Sequence, residues 1–68
     1  MSTSTLELAL RYDLDLCIGQ HEVEVIWYDT VRSETHRFRE RVGARDERRA
    51  ALRRCVDRAI AKATGEQP

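Results

Sequence analysis

Apolar side chains occupy every second position from Leu6 to Ile18, and mostly polar or charged side chains lie between them. A period of two residues is typical of a strand that buries one face, because successive side chains of a strand point to opposite sides. A helix would instead spread the same leucines around its axis. The alternation therefore predicts a first strand over about 5–18.

The dipeptide Gly19–Gln20 follows this strand and suits a two-residue hairpin turn with glycine at its first position. Such a turn places Leu16 opposite Val23, and the apolar residues of both strands then share one face. A slip of one residue would set apolar side chains against ionic ones, so the register is strongly specified. We therefore expect a second, antiparallel strand over about 21–32.

A looser alternation over about 35–42 predicts a third strand, antiparallel to the second. Three arginines of this strand would then share the outward face of the sheet with Ile26 and Tyr28. They are Arg37, Arg39 and Arg41. The alternative for this segment is a short helix that Ser33 caps and Gly43 ends.

A C-terminal helix is predicted over about 44–64, because apolar residues recur there at helical spacing and Gly65 suits the position after a helix end. Its apolar stripe consists of Leu52, Cys55, Val56, Ala59, Ile60 and Ala63. The predicted fold is thus α+β, a three-stranded antiparallel β-meander with one C-terminal α-helix packed on one face. It forms a single small domain over 1–68, with flexible ends at 1–4 and 65–68.

Charge is balanced over the whole chain but not along it. Twelve basic residues match twelve acidic ones, yet the first 30 residues hold six acidic residues and only one basic residue. The balance excludes a uniformly basic nucleic-acid binder and an acidic, disordered tail. No apolar run approaches the roughly 20 residues of a membrane span, and the N-terminus lacks the basic region of a signal peptide. We therefore expect a cytoplasmic protein that does not bind membranes.

The side chains that could carry chemistry do not converge in the predicted fold. Cys17 and Cys55 would lie on opposite sides of the sheet, so they suit neither a disulfide bond nor a shared metal ion. Three isolated glycines offer no phosphate-binding loop, and carboxylates on an open sheet face have no apolar surroundings to raise their pKa. We expect no catalytic residue, no metal, no cofactor and no enzymatic activity.

Carboxylates of the first two strands would crowd the outward face of the sheet around Ile26 and Tyr28. Such a face could dock on a partner of complementary charge, with the two apolar side chains as anchors. The predicted partner-binding residues are Asp13, Asp15, Glu22, Glu24, Ile26 and Tyr28. They favour a small, non-enzymatic protein-interaction module, in the manner of an inhibitor or regulator, whose partner is another protein.

Arginine supports an alternative function, nucleic-acid binding. Arginines on alternate strand positions stand about 6.7 Å apart, near the spacing of phosphates along a nucleic-acid strand. The residues concerned are Arg37, Arg39, Arg41, Arg45 and Arg49. A three-stranded sheet followed by a helix is similar in outline to the arm-type DNA-binding domain of phage integrases, without shared motif residues, and that similarity implies DNA as the ligand.

We expect a second chain to contribute to stability, since a domain this small buries little apolar surface. A strand of thirteen residues spans about 43 Å, whereas the helix that covers it spans about 30 Å. The first strand would therefore extend beyond its cover and present an edge that can pair with another copy. A homodimer is expected on that ground.

Overall fold

The computed structural model describes residues 4–44 and 47–65, and its regular elements follow one another with short connections. In chain order they are α1 (Thr5–Arg11), β1 (Asp15–Ile18), β2 (Glu22–Asp29), β3 (Glu34–Arg41) and α2 (Arg48–Thr64). The strands form one antiparallel sheet in the order β1-β2-β3, and α2 packs on one of its faces. This confirms the predicted α+β meander with a C-terminal helix.

The predicted first strand over 5–18 is wrong for its N-terminal half, which forms the helix α1. Ser4 caps this helix, because its hydroxyl accepts a hydrogen bond from the backbone N–H of Glu7 at 3.1 Å. Leucine also favours helices by intrinsic propensity. In a helix this short, positions four residues apart still share a face, so Leu8 and Tyr12 both pack against the core.

Asp13 ends α1 and turns the chain into β1. Its φ of 55° lies in the left-handed region, which terminates many helices. The next residue, Leu14, donates its backbone N–H to the carbonyl of Ala9 at 2.8 Å, and both side chains are buried. This hydrogen bond and apolar contact together form a Schellman-type helix end, so β1 is left with only four residues.

The predicted register between the first two strands is wrong by two residues. Leu16 lies opposite Val25 rather than Val23. The backbone N–H of Gly19 donates to the carbonyl of Glu22 at 2.8 Å, so the turn residues are Gln20–His21 and not Gly19–Gln20. A shift of two residues keeps every side chain on its predicted face, because the side-chain period of a strand is two.

β3 forms as predicted, and the alternative of a helix at this position is wrong. Ser33 lies in the loop before β3 with a φ of 54°, and it caps no helix. Asp29 stabilises this loop, because its carboxylate accepts hydrogen bonds from the backbone N–H groups of Val31 at 3.0 Å and Arg32 at 3.2 Å.

Small and branched side chains form the core between β2 and α2. Val23 and Val25 of β2 are completely buried. The buried residues of α2 are Ala51, Cys55, Val56 and Ala59. Small residues along this stripe allow the helix backbone to approach the sheet closely, and Leu8, Tyr12, Leu16, Trp27, Phe38, Leu52 and Ile60 close the periphery of the core.

α2 begins at Arg48, four residues later than predicted, and ends as predicted before Gly65, whose φ is 74°. The carboxylate of Glu47 accepts a hydrogen bond from the backbone N–H of Gly43 at 3.0 Å, which secures the connection from β3. Of the predicted flexible ends, Ser4 and Gly65 cap the two helices, and the other positions lie outside the described residues.

We predict opposite effects for two substitutions of Asp13. Asp13→Gly should raise the free energy of unfolding by about 0.5–1 kcal/mol. Glycine avoids most of the strain of the left-handed conformation, which is about 1–2 kcal/mol for other residues. The greater conformational entropy of glycine in the unfolded chain offsets part of this gain. Asp13→Val should lower it by at least about 1 kcal/mol, since a β-branched residue fits this region poorly. Urea unfolding followed by the fluorescence of Trp27 measures both. A higher free energy of unfolding for Asp13→Val than for Asp13→Gly is expected only if residue 13 lies in an extended strand. That result would contradict the helix end at Asp13.

Candidate interaction face

The face of the sheet opposite α2, here called the outer face, is covered by no described element. α1 packs against α2 and therefore lies on the other side. The outer face carries Asp15 and Cys17 from β1, Glu22, Glu24, Ile26 and Tyr28 from β2, and Thr35, Arg37, Arg39 and Arg41 from β3. Tyr28 is 52% exposed, although it is one of the larger apolar side chains of the protein.

Glu24 is held at the centre of this face by two arginines. Register places Glu24 directly opposite Arg39, whose Nη2 and Nε donate to Glu24 Oε2 at 2.8 and 3.0 Å. Nη1 of Arg37 lies 3.6 Å from the other carboxylate oxygen, Oε1. The Glu24 side chain is only 12% exposed as a result, so its charge is compensated close to the sheet surface.

Arg39 connects Glu24 to a second carboxylate, that of Glu22. Its Nε lies 3.6 Å from Glu22 Oε1. The hydrogen bond to Glu24, followed by the charges of Glu22 and Glu24, raises the pKa of Arg39. Yet the Arg39 side chain remains 57% exposed, and that of Arg37 61% exposed. Both guanidinium groups therefore stay accessible while they pair with the carboxylates beneath them.

Two charged side chains of the outer face make no ion pair within the described parts of the chain. They are Asp15 on the β1 edge and Arg41 on the β3 edge, and both are exposed. Between the edges lies Ile26, which is partly buried and is aligned with Asp15 on one side and Arg37 on the other. The middle of the face thus combines an apolar strip, formed by Ile26 and Tyr28, with charged side chains that are paired. Each edge carries a charge that makes no ion pair within the described residues.

The predicted acidic site is only partly assembled. Asp15, Glu22 and Glu24 share the outer face with Ile26 and Tyr28, as expected. Asp13 does not, because it ends α1. The arginines of β3 interleave with the remaining carboxylates, so the face is mixed in charge and not acidic.

The predicted arginine site is also divided. Arg37, Arg39 and Arg41 stand on alternate positions of the outer face, as expected. Arg49 is exposed on α2, which packs on the opposite side of the sheet. Arg45 lies outside the described residues.

Sequence reasoning missed an ion-pair cluster between β3 and α2. The carboxylate of Glu40 accepts hydrogen bonds from Arg54 Nη2 at 2.6 Å and from Arg58 Nη2 at 2.7 Å. The hydrogen bond from Arg54 is the main cause that lowers the pKa of Glu40, and the charges of both arginines add to it. The helical spacing of Arg54 and Arg58 was the available signal, since residues four apart lie on one helix face.

The sheet separates the two thiols. Cys17 is exposed on the outer face, whereas Cys55 of α2 is completely buried between this helix and the sheet. Burial raises the pKa of Cys55, and Arg58 donates a hydrogen bond to its sulfur at 3.4 Å. The imidazole of His36 lies on the α2 side, stacked on Trp27 at 5.3 Å between ring centroids. Within the described residues, neither thiol forms a hydrogen bond with this imidazole.

A cleft of about 680 Å³ lies between the loop that follows β2 and the end of α2. Its lining includes Trp27, Arg32 and Lys62, but neither a cysteine nor a histidine. Among the described lining residues, Asp29 is the one that carries a carboxylate, and this group accepts hydrogen bonds from the backbone of the loop. The described walls of this cleft thus place no nucleophile next to a base.

Comparisons with protein-family models, with curated proteins and with solved structures found no match. Within the described residues, neither helix has the length and apolar character needed to cross a bilayer.

We predict that Glu40 makes stability depend on pH in the acidic range. Because its folded pKa lies below the ordinary value of 4.5, the ionised carboxylate favours the folded state above that value, and this contribution is lost as pH falls through the folded pKa. Glu40→Gln should lower the urea midpoint at pH 6 and have little effect at the acid end of the transition. Glu7→Gln, which leaves the ion pairs of Glu40 intact, serves as the control. A pH-independent difference between wild type and Glu40→Gln would contradict this role.

We predict that a thiol reagent such as DTNB labels one cysteine per native chain at pH 8. Cys17 should react at once because it is exposed, whereas Cys55 is buried and its raised pKa keeps the thiol protonated. Cys17→Ser should reduce native labelling to nearly zero, and urea should then reveal one thiol. Rapid labelling of the native Cys17→Ser chain would show that the core under α2 is open.

Proposed function

We propose that this protein is a non-enzymatic interaction module that docks on another protein through the outer face of its sheet and acts as a small inhibitor or regulator. The observation that carries this proposal is the position of Glu24, enclosed by Arg37 and Arg39 beside Ile26 and Tyr28 on a face that no described element covers.

Ion pairs that exist before binding make this face suitable for a protein partner. A lone charge buried at an interface loses its hydration without compensation, whereas a charge already hydrogen-bonded to its counter-ion loses less. Arginine and tyrosine are also enriched in the buried centres of protein interfaces, where their large side chains contribute much of the binding energy. Arg37, Arg39, Arg41 and Tyr28 are exposed residues of these types on the outer face.

Nucleic acid fits this geometry less well. A phosphate backbone on the outer face would meet Asp15 and Glu22 as well as the arginines, and repulsion would offset part of the attraction. Arg49 cannot add to the same contact, because it belongs to the helix on the other side of the sheet. The mixed charges therefore favour a protein partner over a polyanion.

We predict that Tyr28→Ala weakens partner binding by about 2 kcal/mol, roughly 30-fold in Kd, as for an aromatic interface anchor. Its matched control is Val31→Ala, a substitution of an apolar residue that is 91% exposed and lies outside the outer face. Tagged wild-type and variant chains are used to capture proteins from cell extract, and titration calorimetry with the captured protein gives Kd.

The same chains are tested against a mixed oligonucleotide pool by fluorescence anisotropy at low salt. Oligonucleotide binding would favour nucleic acid as the partner and overturn the proposal if Arg37→Ala abolishes it and Tyr28→Ala leaves it unchanged. Equal capture of proteins by the wild-type, Tyr28→Ala and Arg37→Ala chains would overturn it as well.

A further inference from the structure

The register of the strands arranges the outer face in rows that run from β1 across β2 to β3. One row holds Asp15, Ile26 and Arg37, and the next holds Cys17, Glu24 and Arg39. The β1 edge of the face therefore ends in a carboxylate, and the β3 edge ends in guanidinium groups. The two edges of the face are thus opposite in charge, and exchanging them brings each edge over the other.

We propose that the outer face binds a second copy of this chain, related by a two-fold axis that lies between the two sheets and runs parallel to β2. This inference rests on the proposed function, because it uses the same outer face for binding and adds a second copy of the chain as its occupant. The short β1 removes the edge-pairing argument for a homodimer, since the leucines assigned to a long first strand belong to α1. The complementarity of the outer face provides a different argument.

The direction of the axis follows from the charges. Rotation about an axis parallel to the strands lays β2 on β2 and brings the β3 edge of one copy over the β1 edge of the other. Arg37 of the second copy then faces Asp15, because the two residues share a row. Rotation about an axis across the strands would instead lay β3 on β3 and bring arginines together, which costs free energy.

The same rotation provides partners for the charges that stand alone in the single chain. Asp15 and Arg41 make no ion pair within residues 4–44 and 47–65. In the pair of chains, Asp15 meets Arg37 of the second copy. Arg41 shares a row with Glu22. In the pair of chains, Arg41 of the second copy approaches Glu22 from the β1 side. Ile26 meets Ile26 on the axis. Glu22 and Glu24 also face their own counterparts there, but each of these carboxylates is already paired with Arg39 of its own chain.

Dimensions of the face predict a weak dimer. Three strands at about 4.8 Å spacing and eight residues at about 3.3 Å rise give a face of about 14 by 26 Å. This is smaller than the roughly 800 Å² per partner of a stable interface, so we expect dissociation in the micromolar range or above. Packed sheets lie about 10 Å apart, a distance that one arginine and one aspartate side chain span together.

Charge reversal with complementation tests the arrangement. Sedimentation equilibrium from about 20 μM to about 1 mM, a range suited to a small interface, should show the wild-type mass rise from 7.9 kDa towards twice that value. Asp15→Arg alone and Arg37→Asp alone should stay at the mass of one chain, because each places like charges together at both contacts. An equimolar mixture of these two variants should dimerise again, because opposite charges then meet at both contacts.

Complementation separates loss of contact from loss of fold, since misfolded chains do not restore each other, and circular dichroism checks each variant. Arg49→Asp on α2 is the matched control and should dimerise like the wild type. A wild-type mass of one chain at all concentrations overturns the inference, and so do dimers that are insensitive to Asp15→Arg or a mixture that stays monomeric. In each of these cases the proposed function still stands if Tyr28→Ala loses a captured protein.

Discussion

Burial of one face of β2 under α2 is the interaction on which the rest of the structure depends. Val23 and Val25 of β2 are completely buried, and they share one apolar cluster with the equally buried Cys55 and Val56 of α2. Because side chains alternate along a strand, burying these valines places Glu24 and the other even-numbered residues of β2 on the opposite face. The outer face is thus a direct consequence of core formation.

Helix α1 shows why a hydrophobic period is weaker evidence than it looks in a short segment. Leucines at every second position satisfy a strand, but over seven residues they also place Leu8 and Tyr12 on one helical face. The deciding signal was local, a serine three residues before a glutamate at Ser4 and Glu7, which matches the sequence of a capping box. It was present in the sequence, and its effect on the start of α1 could have been predicted.

The composition of the outer face was largely predictable, whereas its pairings were not. Arg37 and Arg39 share a face with Ile26 and Tyr28, and this could be predicted because alternate residues of a strand point to the same face. Which carboxylate lies beside which cation depends on register, and a shift of two residues moves Glu24 from opposite Asp15 to opposite Cys17. The contact between Glu40 and α2 similarly depends on the placement of the helix over β3, and no local sequence pattern predicts that placement.

By itself, the sequence determined the three strands, the C-terminal helix and the face to which each strand residue points, because these follow from periodicities of two and 3.6 residues within short segments. Only the tertiary structure decided that Glu24 is enclosed by two arginines and that Glu40 binds α2. Both features depend on contacts between residues distant in the chain, which form only once β3 pairs with β2 and α2 packs across the sheet.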